Sequence, residues 1–136
     1  MYGHINTTLQ GDPIFWADAS LERLDAGYEE FAIYVREDSG VPKKIRCIGF
    51  IGFQMIGFWD EIIIETANIH ITHPFIGDCE HRIKLLPETG TETRFASKNL
   101  LLEISFIDGC KLWVCAKQFL CESVRQKNEV KQTYTE

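Results

Sequence analysis

No stretch of this chain is apolar for long enough to cross a membrane as a helix, because its most hydrophobic region, residues 45 to 59, is broken by Arg46, Gln54 and Asp60. The opening Met-Tyr-Gly-His lacks the basic and then apolar regions of a secretory signal, so a cytoplasmic location is expected. The short motifs by which many enzymes are recognised are missing too. There is no Gly-rich phosphate loop, no Gly-x-Ser-x-Gly elbow, no His-Glu-x-x-His and no Cys-x-x-Cys pair. Positive charge is not in excess. A formal charge of −6 argues against nucleic acid or an anionic membrane as partner and suits a protein with a basic surface. Five cysteines cannot all pair with one another. Cys47, Cys110 and Cys115 lie in strand-like apolar runs where a thiol behaves as a small hydrophobe. A 136-residue chain that is 45% apolar can bury a core without disulfides, metals or cofactors, so all five thiols are expected to be reduced.

What is present is strand pattern. In residues 45 to 59, Ile48, Phe50, Ile56 and Phe58 share one parity, while Cys47, Ile51, Phe53, Met55 and Trp59 share the other. Apolar residues on both faces predict a central strand covered on both sides. Gly49, Gly52 and Gly57 predict bulges, a sharp bend, or another element packed against the backbone.

Before this stretch, Gly11-Asp12-Pro13 ends whatever short strand residues 7 to 10 make. Residues 17 to 31 read either as a helix, from the spacing of Leu21, Leu24, Tyr28 and Phe31, or as two strands turning at Asp25-Ala26-Gly27, which is the reading preferred here. Phe31, Ile33 and Val35 alternate with Ala32, Tyr34 and Arg36 as a half-buried strand that stops at Glu37-Asp38-Ser39-Gly40. After a turn or bulge at Asp60-Glu61, residues 62 to 72 form a strand. One of its faces carries Ile63, Glu65, Ala67, Ile69 and Ile71, and the other Ile62, Ile64, Thr66, Asn68 and His70. Pro74 opens a helix through Ile76, Cys79, Ile83 and Leu86 that Pro87 stops. Residues 88 to 99 form an exposed loop.

Residues 100 to 122 read as a hairpin turning at Asp108-Gly109. A three-residue loop with Gly109 in the left-handed bulge position pairs Phe106 with Cys110, Ile104 with Leu112 and Leu102 with Val114, making one apolar face. Glu103, Ser105, Lys111 and Trp113 then share the other face. The expected fold is mainly β, an antiparallel β-sandwich or open barrel with one short helix, with α+β as the alternative. Residues 1–122 form a single domain and 123–136 a polar tail.

Candidate chemistry is sparse. His70, His73, Cys79 and His81 are metal-ligand types within twelve residues, but their spacing matches no common zinc pattern and their expected directions diverge. Adjacency within a helix keeps Cys79, Glu80 and His81 from working as a catalytic pair. Asp60-Glu61 and Glu29-Glu30 are neighbouring carboxylates of the kind that solvate turns. No catalytic residue, metal or cofactor is assigned.

Charge distribution carries more. Residues 12 to 38 hold eight acids against two arginines, whereas residues 39 to 136 hold twelve acids and twelve bases. The early segment is either a solvated face or a docking surface in which Trp16 and Tyr28 anchor a basic partner among Asp18, Glu22, Asp25, Glu29 and Glu30, with Asp60 and Glu61 nearby. The run Gly-Phe-Trp-Asp-Glu-Ile-Ile at 57 to 63, with Leu-Glu-Ile-Ser-Phe-Ile-Asp-Gly-Cys-Lys-Leu at 102 to 112, resembles small bacterial β-rich immunity proteins of polymorphic toxin systems. The resemblance implies a non-enzymatic inhibitor that binds a cognate toxin, often a basic nuclease. The runner-up is a small-ligand-binding or regulatory β module with a pocket lined by Phe50, Phe53 and Trp59.

Overall fold

A computed structural model describes residues 9–28, 30–57, 62–84 and 98–124. Nine strands and one helix follow in chain order: β1 (Leu9–Gly11), β2 (Ser20–Ala26), β3 (Glu30–Arg36), β4 (Pro42–Ile48), β5 (Gly52–Ile56), β6 (Ile64–His70), α1 (Pro74–Lys84), β7 (Leu100–Phe106), β8 (Lys111–Ala116) and β9 (Gln118–Ser123). A five-stranded sheet has the order β1-β9-β4-β3-β2 and a four-stranded sheet the order β5-β8-β7-β6. Every pairing is antiparallel except that of β1 with β9. The mainly β reading holds: the described residues form two sheets with one short helix and no closed barrel. None of the described helices is long and apolar enough to cross a membrane.

The single strand expected at 45–59 is two strands in different sheets. β4 is the middle strand of the larger sheet and β5 an edge of the smaller one. The chain turns at Gly49, whose φ of 71° suits glycine, and a Cβ there would stand 3.2 Å from the Lys117 stem. β8 and β9 bend at that same Lys117. Lys117 N–H donates to the Ile48 carbonyl at 3.1 Å and Ile51 N–H to the Cys115 carbonyl at 2.9 Å, so the two ribbons turn the corner together. Residues 100 to 122 are therefore three strands in two sheets, not one hairpin. Phe58, Trp59, Asp60 and Glu61 lie outside the described residues.

The two-strand reading of residues 17 to 31 holds as β2 and β3, but Asp25 and Ala26 belong to β2 and the chain leaves it at Gly27 and Tyr28. A bulge between Ile64 and Thr66 switches the parity expected for β6, so Ile64, Ala67 and Ile69 all face the core. The core lies between the sheets. Phe31, Ile33, Val35, Ile45, Cys47, Phe119 and Cys121 meet Ile64, Leu102, Ile104, Phe106, Leu112 and Val114. A second cluster joins Ile76 and Cys79 of α1 to Leu101 and Cys115 on the opposite face of the smaller sheet. That sheet is covered on both sides, which is why β7 reads Leu-Leu-Leu.

The register derived for Leu102, Ile104 and Phe106 is the one observed. Gly109 has φ 95° and donates to the Phe106 carbonyl at 3.0 Å. Asn99, expected in an exposed loop, is buried at 3% exposure because its amide donates to Glu80 at 2.7 Å and its oxygen accepts from Lys117 at 3.4 Å. Residues 88–97 and the tail from 125 lie outside the described residues. Ser123 belongs to β9 and donates to Asp12 through N–H and hydroxyl, so the ordered strand runs one residue past the expected boundary.

Candidate functional site

β2 is an edge strand, and the acidic segment runs along it. Its first residues are bound to the smaller sheet: Leu21 N–H donates to the Ile62 carbonyl at 2.9 Å and Ile64 N–H to the Ala19 carbonyl at 2.7 Å. The register slips between Leu21 and Arg23, leaving Glu22 as the bulged residue. Asp18, Glu22 and Asp25 are exposed, and Tyr28, in the turn to β3, is 91% exposed. Asp18 sits at φ 67°, a left-handed conformation that aspartate tolerates, and its N–H donates to the Ile64 carbonyl at 2.9 Å. Trp16 is half-buried against the core, a packing position rather than a projecting anchor. Glu29, Asp60 and Glu61 lie outside the described residues.

Strand pairing answers much of the negative charge. Glu22 accepts from Arg36 at 2.8 Å, and Asp25 lies 3.9 Å from Arg23. Glu30 is held by both Nε and Nη2 of Arg46, at 2.6 and 3.1 Å, while Nη1 of the same arginine reaches Glu122 at 3.1 Å. These hydrogen bonds hold the Glu30 carboxyl below its usual range and push the Arg46 guanidinium up. Tyr34 lies under Arg23 and Lys44, at 4.2 and 5.6 Å from its ring centre. Glu37 is not a surface acid at all. It is 6% exposed, accepts from Phe15 N–H at 3.1 Å and lies 3.7 Å from buried Lys43. Asp18, in the turn before β2, and Asp38, in the turn after β3, have no ion pair among the described residues.

The four candidate metal ligands do not converge. His70 and His73 do approach, ring centres 5.3 Å apart, because the chain turns between β6 and α1. Cys79 points inward and His81 is exposed, and no group of three ligand-type side chains gathers among the described residues. His70 instead binds Glu103 at 2.8 Å. Glu103 also accepts from Trp113 Nε1–H at 2.9 Å and lies 3.7 Å from Lys111. Sequence reasoning missed this cluster, although the derived hairpin register already set Glu103 opposite Trp113.

A groove of about 410 Å³ opens between α1 and the outer face of β5, lined by Ile51, Gly52, Phe53, Gln54, Phe75, Asp78, Cys79, Arg82 and Ile83. Of the expected apolar pocket, Phe53 lines this groove while its ring also meets Phe31. Phe50 stacks on Phe31, and Trp59 is outside the described residues. Comparison with protein families, curated proteins and solved structures returns no match to this chain.

Proposed function

We propose that this protein is a non-enzymatic, protein-binding inhibitor of the immunity type, which neutralises a basic, nuclease-like toxin domain. It docks through the β2 edge and the β2–β3 turn. The reading places it in the cytoplasm, acting without a cofactor, metal, nucleic acid or membrane. The observation that carries it is Tyr28, a large aromatic 91% exposed on a turn flanked by Asp25, with Asp18 and Glu22 along the same strand edge. An aromatic among carboxylates supplies an anchor to bury and a field to steer a cationic surface towards it. Cross-strand pairing of Glu22 and Glu30 narrows the useful charge to fewer groups than the linear count suggests.

The test begins with capture of the partner from the native host and measurement of association kinetics against salt. The triple variant Asp18→Asn, Asp25→Asn, Tyr28→Ala should associate at least about tenfold more slowly or dissociate faster, with a flatter salt dependence. Asp78→Asn, which removes an exposed carboxylate on α1 away from the β2 edge, should change neither. An acidic partner, or a triple variant that binds like the parent, defeats docking through this edge. A second reading, a small-ligand module, is favoured only by the α1–β5 groove. It predicts that Phe75→Ala and Arg82→Ala abolish ligand-induced thermal stabilisation.

A further inference from the structure

Cys79 and Cys115 belong to elements that meet only in the fold, α1 and β8, and both sit in the small cluster beneath the helix. Cys115 stands directly opposite Gly52 in the β5–β8 register. Directly opposed residues point to the same face, with Cβ positions about 4.5–5.5 Å apart. Gly52 has no Cβ, and the Cys79 sulfur fills the space, 2.6 Å from where that Cβ would be. The sulfur is thereby laid on the face of the β5–β8 pair that carries Cys115, in the same buried cluster. Both cysteines thus belong to one packed cluster that joins α1 to the sheet, the proximity a disulfide needs.

Access to the two sulfurs is unequal. Cys79 lines the groove between α1 and β5, whereas Cys115 is fully buried. The hydrogen bond from Cys115 holds the Cys79 thiol below its ordinary range, while the same contact, with burial, pushes Cys115 up. Elsewhere burial alone dominates: it raises Cys47, and it pushes Cys121 up to about 11.

We propose that Cys79 and Cys115 are an oxidative modification site, in which Cys79 is the sulfur oxidised by hydrogen peroxide and Cys115 resolves it to a disulfide tying α1 to β8. In the first step the Cys79 thiolate attacks one peroxide oxygen. The O–O bond breaks, sulfenic acid forms on Cys79, and the departing hydroxide takes up a proton as water. In the second, the Cys115 sulfur gives up its proton and attacks the sulfenic sulfur. The S–S bond forms as hydroxide leaves and becomes a second water. Two thiols and one peroxide yield one disulfide and two waters.

The native protein is exposed to hydrogen peroxide, quenched by alkylation, denatured and digested without reductant. The expected result is loss of two of the five alkylatable thiols, recovery of all five with dithiothreitol, and a linked pair of peptides carrying Cys79 and Cys115. In Cys115→Ser, dimedone should capture a sulfenic acid on Cys79. Five surviving thiols, a linkage between other cysteines, or sulfinic acid on Cys79 without the linkage would each overturn the proposal. Should Cys115→Ser fail to fold, the thiol count and linked peptides of the parent protein decide alone.

Discussion

Arg46 grips Glu30 through two of its nitrogens, at 2.6 and 3.1 Å, from the neighbouring strand of the sheet. That contact shows how the fold treats the negative segment. Residues 12 to 38 carry the chain's excess charge, yet β4 sets Lys43, Lys44 and Arg46 beside them, and much of the field closes on itself within the sheet.

The first prediction concerns acid. Hydrogen bonding to Arg46 lowers Glu30. Burial pushes Glu103 up, but hydrogen bonds from Trp113 and His70 outweigh it and leave Glu103 lowered as well. An unfolded glutamate, near 4.5, therefore takes up its proton before the folded one does. The stability these groups confer is present above that value and lost as pH falls through the folded values. Urea midpoints should be flat down to about the glutamate range and fall below it. Glu30→Gln and Glu103→Gln should each make that fall shallower; an unchanged slope in both would refute the assignment.

The second concerns register. Ile104 is fully buried and Ser105 faces away from the core, so Ile104→Ala should cost about 2–5 kcal/mol and Ser105→Ala under about 1 kcal/mol in denaturant unfolding. Equal costs would be incompatible with the observed pairing.

A third follows from the close approach at Gly52. Gly52→Ala places a methyl 2.6 Å from the Cys79 sulfur and should cost about 1–3 kcal/mol through overpacking. Combining it with Cys79→Ala should recover part of that loss, with a coupling of at least about 0.5 kcal/mol in a double-mutant cycle. Strict additivity of the two changes would mean that they do not touch.

Fourth, Lys43 and Glu37 are both buried, and Lys43 also donates to the Pro13 carbonyl at 2.6 Å. Lys43→Met leaves the carboxylate without its counter-charge and should cost about 3–5 kcal/mol. Lys44→Met, on the outer face above Tyr34, should cost under about 1 kcal/mol. Similar unfolding midpoints for the two variants would contradict this difference.

Local pattern carried the hairpin at Asp108-Gly109 and the strand at Phe31, Ile33 and Val35, because period-two alternation and turn chemistry operate over a few residues. It carried the helix start at Pro74 for the same reason. A glycine at position 49 admits a bulge, a bend or a close approach alike, and only the partner bend at Lys117, nearly seventy positions away, selects the corner. The bulge beside Glu65 leaves no local mark, so the parity of Thr66 and Asn68 was misread. The candidate surface was legible as composition but not as pairing. Nothing near Glu30 announces Arg46, and nothing near Cys79 announces Cys115.

β9 comes last among the described strands, yet it lies between β1 and β4 and brings Phe119 and Cys121 to the core. A chain emerging from the ribosome can pair β2, β3 and β4, but β1 has no neighbour and the flank of β4 stays open until residues 118–123 are released. Completion of this sheet therefore waits on β9. Until then the nascent protein carries an unpaired strand edge that invites pairing with other chains.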